Sequence, residues 1–202
     1  MVRTTEASGA LMDDDKLVKE CLAGNPRAQK LLYDKYARKM YGVCLRYAPD
    51  HSMADDFLQE GFIRVFMKLS GFKAMGSLEG WMRRIMVNTA LEKLRKKDIL
   101  RNSIELPFAG MDESDVNDII DEHDDDSMIE RVPSEIIYQA LHQMPMGFRT
   151  VFNLFAVENC SHKEISHMLG ISEGTSKSQY ARARAWLQKK LNEREQNKNA
   201  RS

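Results

Sequence analysis

The sequence predicts an all-α protein of two small helical domains joined by an acidic flexible linker, the second domain carrying a helix-turn-helix. Three observations carry this. Apolar residues recur every three or four positions in both halves, and no period-two alternation appears. Capping residues and helix stops punctuate that pattern. Charge is sorted along it: 30 basic and 30 acidic residues cancel over the whole chain, yet residues 27–97 carry net +8, residues 98–133 net −10 and residues 134–202 net +4. Two basic blocks around an acidic connector point to a polyanionic partner.

The elements follow in order. Asp13 to Asp15 open a helix whose Leu17, Val18, Cys21 and Leu22 share a face, and Gly24-Asn25 stops it. Asn25 then caps a second helix with Pro26 at its first position, where the missing N–H is harmless. Its stripe is Leu31, Leu32, Tyr36, Met40, Val43, Cys44 and Tyr47, ending at Pro49. Ser52 is the expected cap of a third helix, with Asp55 and Asp56 in a first turn whose dipole favours acids. Leu58, Phe62, Val65, Phe66 and Leu69 form its apolar side. After a break at residues 70–76, Ser77 caps a fourth helix running to about Lys97, which completes a first domain over residues 13–97.

Residues 98–133 are too acidic and too poor in large apolar side chains to offset the entropy of ordering. They read as a linker with a transient helical turn around residues 116–120. A calcium loop would need a central glycine and a terminal glutamate at fixed offsets, and neither is in place. The second domain, residues 134–195, starts with a helix capped by Ser134, breaks at Met144-Pro145-Met146-Gly147, and resumes from Phe148 to Val157. Ser161 caps a short helix to Leu169, and after Gly170-Ile171-Ser172 a long basic helix begins at Glu173.

Several classes of protein fall away. No run of about 18 apolar residues could span a membrane, and the N-terminus lacks the apolar stretch of a signal peptide, so a cytoplasmic protein is expected. Cys21, Cys44 and Cys160 are an odd number with no CxxC pair, which argues against a disulfide framework or structural zinc. Cys21 and Cys44 lie on apolar faces and are expected to be inert. His162 and His167 are five apart and cannot share a helical face as HExxH ligands do. With no phosphate-cradling glycine loop and no GxSxG, the expectation is a non-enzyme without cofactor or metal.

The chemistry instead concentrates in two helices. A short helix, a glycine turn and a second helix capped by Ser172 make a helix-turn-helix, whose second helix enters the major groove. Ser176, Tyr180, Ala183 and Leu187 recur at offsets of four, three and four, so they face the core. Thr175, Lys177, Ser178, Gln179 and Arg182 project elsewhere, Lys177 and Arg182 toward phosphates and Ser178 and Gln179 toward bases. In the fourth helix Arg84, Asn88 and Arg95 share one side, bordered by Trp81. Cations, an amide and an aromatic ring on one surface suit single-stranded or distorted DNA. A solvated basic bundle helix is the competing reading of the first, and a core tryptophan of the second.

The stretch ADDFLQEGFIRVFMKL followed by GSLEGWMRRIMVNTALEKLRKK resembles the promoter-melting domain of extracytoplasmic-function (ECF) sigma factors of bacterial RNA polymerase. The stretch LHQMPMGFRTVFNLFAVENCSHKEISHMLGISEGTSKSQYARARAWLQKKL resembles their C-terminal promoter-binding domain. The resemblance implies that Asp55, Asp56, Gln59, Glu60 and Arg64 dock on the polymerase clamp, with further contact to its flap. It implies that residues 72–77, including Phe72, Lys73 and Ser77, capture a flipped base of the minus-ten element, an extrusion that tight contacts must repay. Trp81, Arg83, Arg84, Asn88, Lys93 and Arg95 then fall on the strand-binding helix. Ser172, Thr175, Lys177, Ser178, Gln179 and Arg182 fall on the minus-thirty-five element. An anti-sigma factor is an implied partner, and the acidic linker is implied to thread toward the RNA exit path. The sequence departs from the family at Ser176, where an aliphatic residue is usual, and at Gln179, commonly basic. Gly61 and Gly80 inside helices each cost about 1 kcal/mol relative to alanine. The alternatives are a helix-turn-helix regulator acting without polymerase, and a helical adaptor for an acidic protein.

Overall fold

Local capping chemistry sets most of the helix starts. In the computed structural model, which describes residues 13–97, 99–105 and 134–199, α1 spans Asp14–Leu22 and α2 spans Pro26–Tyr47. Gly24, at φ 78°, makes the reversal between them. The Asn25 side chain accepts from the backbone N–H groups of Arg27 and Ala28, as expected of the cap before Pro26. Helix α3 spans His51–Lys68, and its cap is Asp50 rather than Ser52: the Asp50 carboxylate accepts from the Met53 N–H at 2.8 Å. The first turn therefore lies earlier than expected and holds no acid, so Asp55 and Asp56 have no capping role. Helix α4 spans Leu78–Lys96, capped by Ser77 through the Gly80 N–H at 3.1 Å.

These helices bury one core that includes Leu32, Tyr36, Tyr47, Phe57, Val65, Met82 and Leu94. Leu31, expected in the stripe of α2, is 49% exposed, because the seam follows positions 28, 32, 36, 40, 43 and 47 instead. Gly61 is explained by packing: a Cβ there would sit 2.1 Å from the Met86 sulfur on α4. Chain expected to be linker is also ordered. Helix α5 spans Ile99–Glu105, with Leu100 only 1% exposed. Burial, not intrinsic propensity, makes so short a helix hold. The turn expected around residues 116–120 lies outside the described residues.

In the second domain α6 spans Ser134–Gln143 and α7 spans Met146–Phe152. The expected helix to Val157 instead changes to a π turn at Asn153–Val157, closed by the Glu158 N–H on the Asn153 carbonyl. Helix α8 spans His162–Leu169 behind a complete capping box of Ser161 and Glu164. Gly170, left-handed at φ 70°, ends it and starts α9, Glu173–Asn199. The two domains pack directly. Helix α7 lies on α2, α5 and α9, and Val151, Leu154, Ile165 and Leu169 join the apolar core of the first domain. Gly147 permits the closest approach, since a Cβ there would meet the Ser103 carbonyl oxygen at 2.8 Å. Among the described residues no strand occurs, and no helix is long and apolar enough to cross a membrane.

Candidate nucleic-acid interface

The break between α3 and α4 and the first turns of α4 form one side of a cavity of about 920 Å³. Phe72, Lys73, Ser77, Trp81, Arg83, Arg84 and Asn88 line it, so most of the expected minus-ten residues are brought together. Trp81 is half-buried and its ring lies 5.5 Å from that of Phe72 at 53°, a tilted aromatic pair open on the cavity side. The loop that leads in is strained and exposed. Ala74 has a left-handed φ of 52° and Met75 is 91% exposed. A non-glycine residue in that region is held there by its surroundings at a cost of about 1 kcal/mol or more. Sequence reading had no signal for Ala74, because alanine carries no left-handed preference. Lys93 and Arg95 sit farther along α4, outside the cavity, Arg95 exposed and Lys93 half-buried.

The far wall of the cavity belongs to the second domain and includes Glu158, Cys160, Glu164, His167 and Met168. Glu158 contacts Arg83 directly, at 2.7 Å from Nε. Arg84 and Asn88, by contrast, are exposed.

On α9 the expected reading surface is divided. Ser172 and Lys177 are exposed, and Thr175, Ser178 and Arg182 are half-buried. The Ser172 hydroxyl caps α9 by accepting from the Thr175 N–H at 2.9 Å. Gln179 corrects the helical-face assignment: it is 2% exposed, and its amide donates to the Ile104 carbonyl of α5 at 3.3 Å. The packing of α5, itself missed in the sequence, turns that position inward. Ser176 is fully buried, as the four-three-four spacing requires, and it shares a 2.9 Å hydrogen bond with His162 Nδ1. The His162 ring also stacks on Phe155 at 4.4 Å. Burial holds the imidazole below its ordinary pKa, with the Lys177 charge adding to the effect.

A third surface lies on α2 and α3. Tyr33, Asp55, Asp56, Gln59, Phe62 and Ile63 are among the residues around an open groove of about 510 Å³, and Ile63 is 49% exposed. Glu60 and Arg64 do not line it. Arg64 is clamped between Glu60 at 3.0 Å and Glu92 of α4 at 2.5 Å, a pin between two helices. Among the described residues no group of three His, Cys, Asp or Glu side chains could hold a metal ion. All three cysteines are free, and burial pushes the Cys44 thiol up to about 12, which suppresses its thiolate at neutral pH.

An acidic-rimmed apolar groove, a cationic–aromatic cavity and a helix-turn-helix on one helical chain define a DNA-binding transcription factor with a protein partner. Sequence comparison sharpens this. The Sigma-70 region 2 family matches residues 32–99 and Sigma-70, region 4 matches residues 134–187. The RNA polymerase sigma-H factor of Pseudomonas aeruginosa is 30% identical over 183 residues, 88% of this chain and 93% of that protein. The ECF RNA polymerase sigma-E factor of Haemophilus influenzae is 26% identical over 187 residues, 89% and 96% of the two chains. The ECF RNA polymerase sigma factor SigW of Bacillus subtilis is 28% identical over 181 residues, 87% and 95%. The chain belongs to the ECF sigma factors, promoter-recognising initiation factors that bind RNA polymerase.

Proposed function

We propose that the three surfaces divide the work of initiation. The groove beside Asp55, Asp56 and Gln59 docks on the polymerase clamp, exposed acids meeting a basic partner and Ile63 and Tyr33 supplying apolar contact. With the Asp50 cap satisfying the helix start, these acids have no other assigned task. The α4 cavity holds non-template bases of the minus-ten element: Phe72 and Trp81 offer ring faces, Arg84 and Arg83 meet phosphates, and Asn88 meets a base edge. The start of α9 reads the minus-thirty-five duplex through Lys177, Ser178 and Arg182, with Ser172 and Thr175 holding the helix N-terminus toward the backbone. The domain division at residues 97 and 134 separates these two DNA contacts. The protein binds and opens DNA in the cytoplasm and makes no covalent bond itself. An anti-sigma factor competes for the α2–α3 groove.

The observation that carries this reading is the aromatic pair beside Arg83, Arg84 and Asn88 on one face of α4. Run-off transcription tests it, using purified bacterial core polymerase and a library of promoter fragments, with and without the chain. Discrete chain-dependent transcripts are expected, lost in Trp81→Ala and weakened in Asp55→Lys. Absence of such transcripts, with selective duplex binding by the chain alone, would replace this reading with a polymerase-independent regulator.

A further inference from the structure

We propose that Glu158 is a latch that holds the free chain shut and withholds the α4 surface from DNA. The inference rests on the reading of α4 as the minus-ten surface. Glu158 follows the π turn of the second domain, and its side chain is only 12% exposed. Its carboxylate reaches two arginines of the first domain. Oε1 accepts from Arg46 Nη2 at 3.4 Å and Arg83 Nη2 at 3.1 Å, while Oε2 lies 2.7 Å from Arg83 Nε. The Val157 carbonyl takes a further contact from Arg83 at 3.4 Å. A guanidinium fork presents the same geometry to a carboxylate as to a phosphate. Glu158 therefore occupies the binding capacity that Arg83 would offer to a DNA strand.

The surrounding interface mixes apolar and polar contacts. Asn153 donates to the Arg46 carbonyl at 3.1 Å, and Arg149 to the Ala48 carbonyl at 2.9 Å, so polar groups of the second domain finish the end of α2. Tyr47 Oη, Asn153 Oδ1 and Gln179 Oε1 are buried without a hydrogen-bond partner among the described residues. The interface also carries the apolar side chains Val151, Leu154, Ile165 and Leu169, and these polar, incompletely paired groups are its weaker part. The same closure turns Gln179 of α9 onto α5. One arrangement thus withdraws groups from both DNA-reading helices, and separating the domains returns them.

The test compares the full-length chain with Glu158→Gln, Glu158→Arg and the charge-neutral swap Glu158→Arg/Arg46→Glu. Small-angle X-ray scattering reads closure, and fluorescence anisotropy reads binding of a single-stranded non-template oligonucleotide from a promoter found by run-off. The wild type is expected to be compact, Glu158→Arg extended with binding tightened about tenfold, and Glu158→Gln intermediate. The swap is expected to be restored only in part at unchanged net charge, because the guanidinium at position 158 meets a carboxylate at position 46 but still faces Arg83. Run-off transcription at saturating polymerase is expected to be equal for all. An extended wild type, or folded Glu158 variants with unaltered scattering and affinity, overturns the latch. A wild type with no polymerase-dependent transcripts overturns the sigma reading instead, and scattering still decides closure.

Discussion

Gly61→Ala tests the packing of α3 on α4 with a single methyl group. In an unconstrained helix interior the substitution stabilises by about 1 kcal/mol. At Gly61 the new Cβ would lie 2.1 Å from the Met86 sulfur and 3.0 Å from its terminal methyl, against an ordinary contact near ~3.8 Å. Met86 is fully buried, so it can relieve the overlap only by disturbing the core around it. Overpacking of this kind costs about 1–3 kcal/mol. The net expectation is a destabilisation of about 1 kcal/mol, a fall in Tm of roughly 4–8 °C for a domain of this size. Gly42→Ala is the matched control. It sits in α2, and no atom from outside its own stretch of helix lies within 4 Å of its Cβ position, so its Tm should rise by roughly 4–8 °C. Thermal unfolding followed by circular dichroism at the helical band measures both. A rise in both variants would refute the reasoning, by showing that Met86 moves aside freely.

Ser161→Ala removes one half of the capping box and should destabilise the second domain by about 1 kcal/mol, read as a lower urea midpoint with an unchanged slope. Glu92 is held down to about 2, first by the Arg64 hydrogen bond and then by Lys96. Its contribution is therefore complete above the ordinary carboxylate pKa and is lost as pH falls from about 4.5 toward 2. One-third exposure limits it to about 1 kcal/mol or less, and Arg64→Gln should flatten that part of a stability-versus-pH curve. His162 is also shifted down, below 6.5, and for a base that means the fold prefers the neutral form. Stability from this group is full above pH 6.5 and declines as the pH drops toward its folded pKa. A proton NMR titration placing the His162 midpoint at or above 6.5 would contradict this.

What the sequence disclosed is what local chemistry decides. Asn25, Ser77, Ser161 and Ser172 each bond a backbone N–H within three residues, so their capping is written in neighbouring letters. The third cap failed because Asp50 and Ser52 are two acceptable candidates two residues apart, and the burial of Met53 and Phe57 chose between them. Helix α5 was invisible because its stability comes from α4 and α7, beyond its own seven residues. The contacts of Gln179 with α5 and of Arg64 with Glu92 were hidden for a related reason. Helical periodicity gives the angle of a side chain around its own axis, but the second helix that covers it is a tertiary fact. That Phe72, Ser77, Trp81, Arg84 and Asn88 share one side of the α4 cavity was legible because they lie within a few turns of one another. Glu158 was not, since nothing near residue 158 in the sequence announces Arg46 or Arg83.

The bond between Ser176 and His162 bears on how this DNA reader can be re-engineered. Its first and second helices share a polar pair, the buried Ser176 hydroxyl and the half-buried His162 ring, so neither is an independent cassette. Grafting α9 from a relative that carries an aliphatic residue at this position would leave the His162 nitrogen against a hydrocarbon wall, with no partner inside the fold. A promoter-specificity swap that exchanges only the reading helix should yield a poorly folded chimera. The transplantable unit is α8, its glycine turn and α9 taken together.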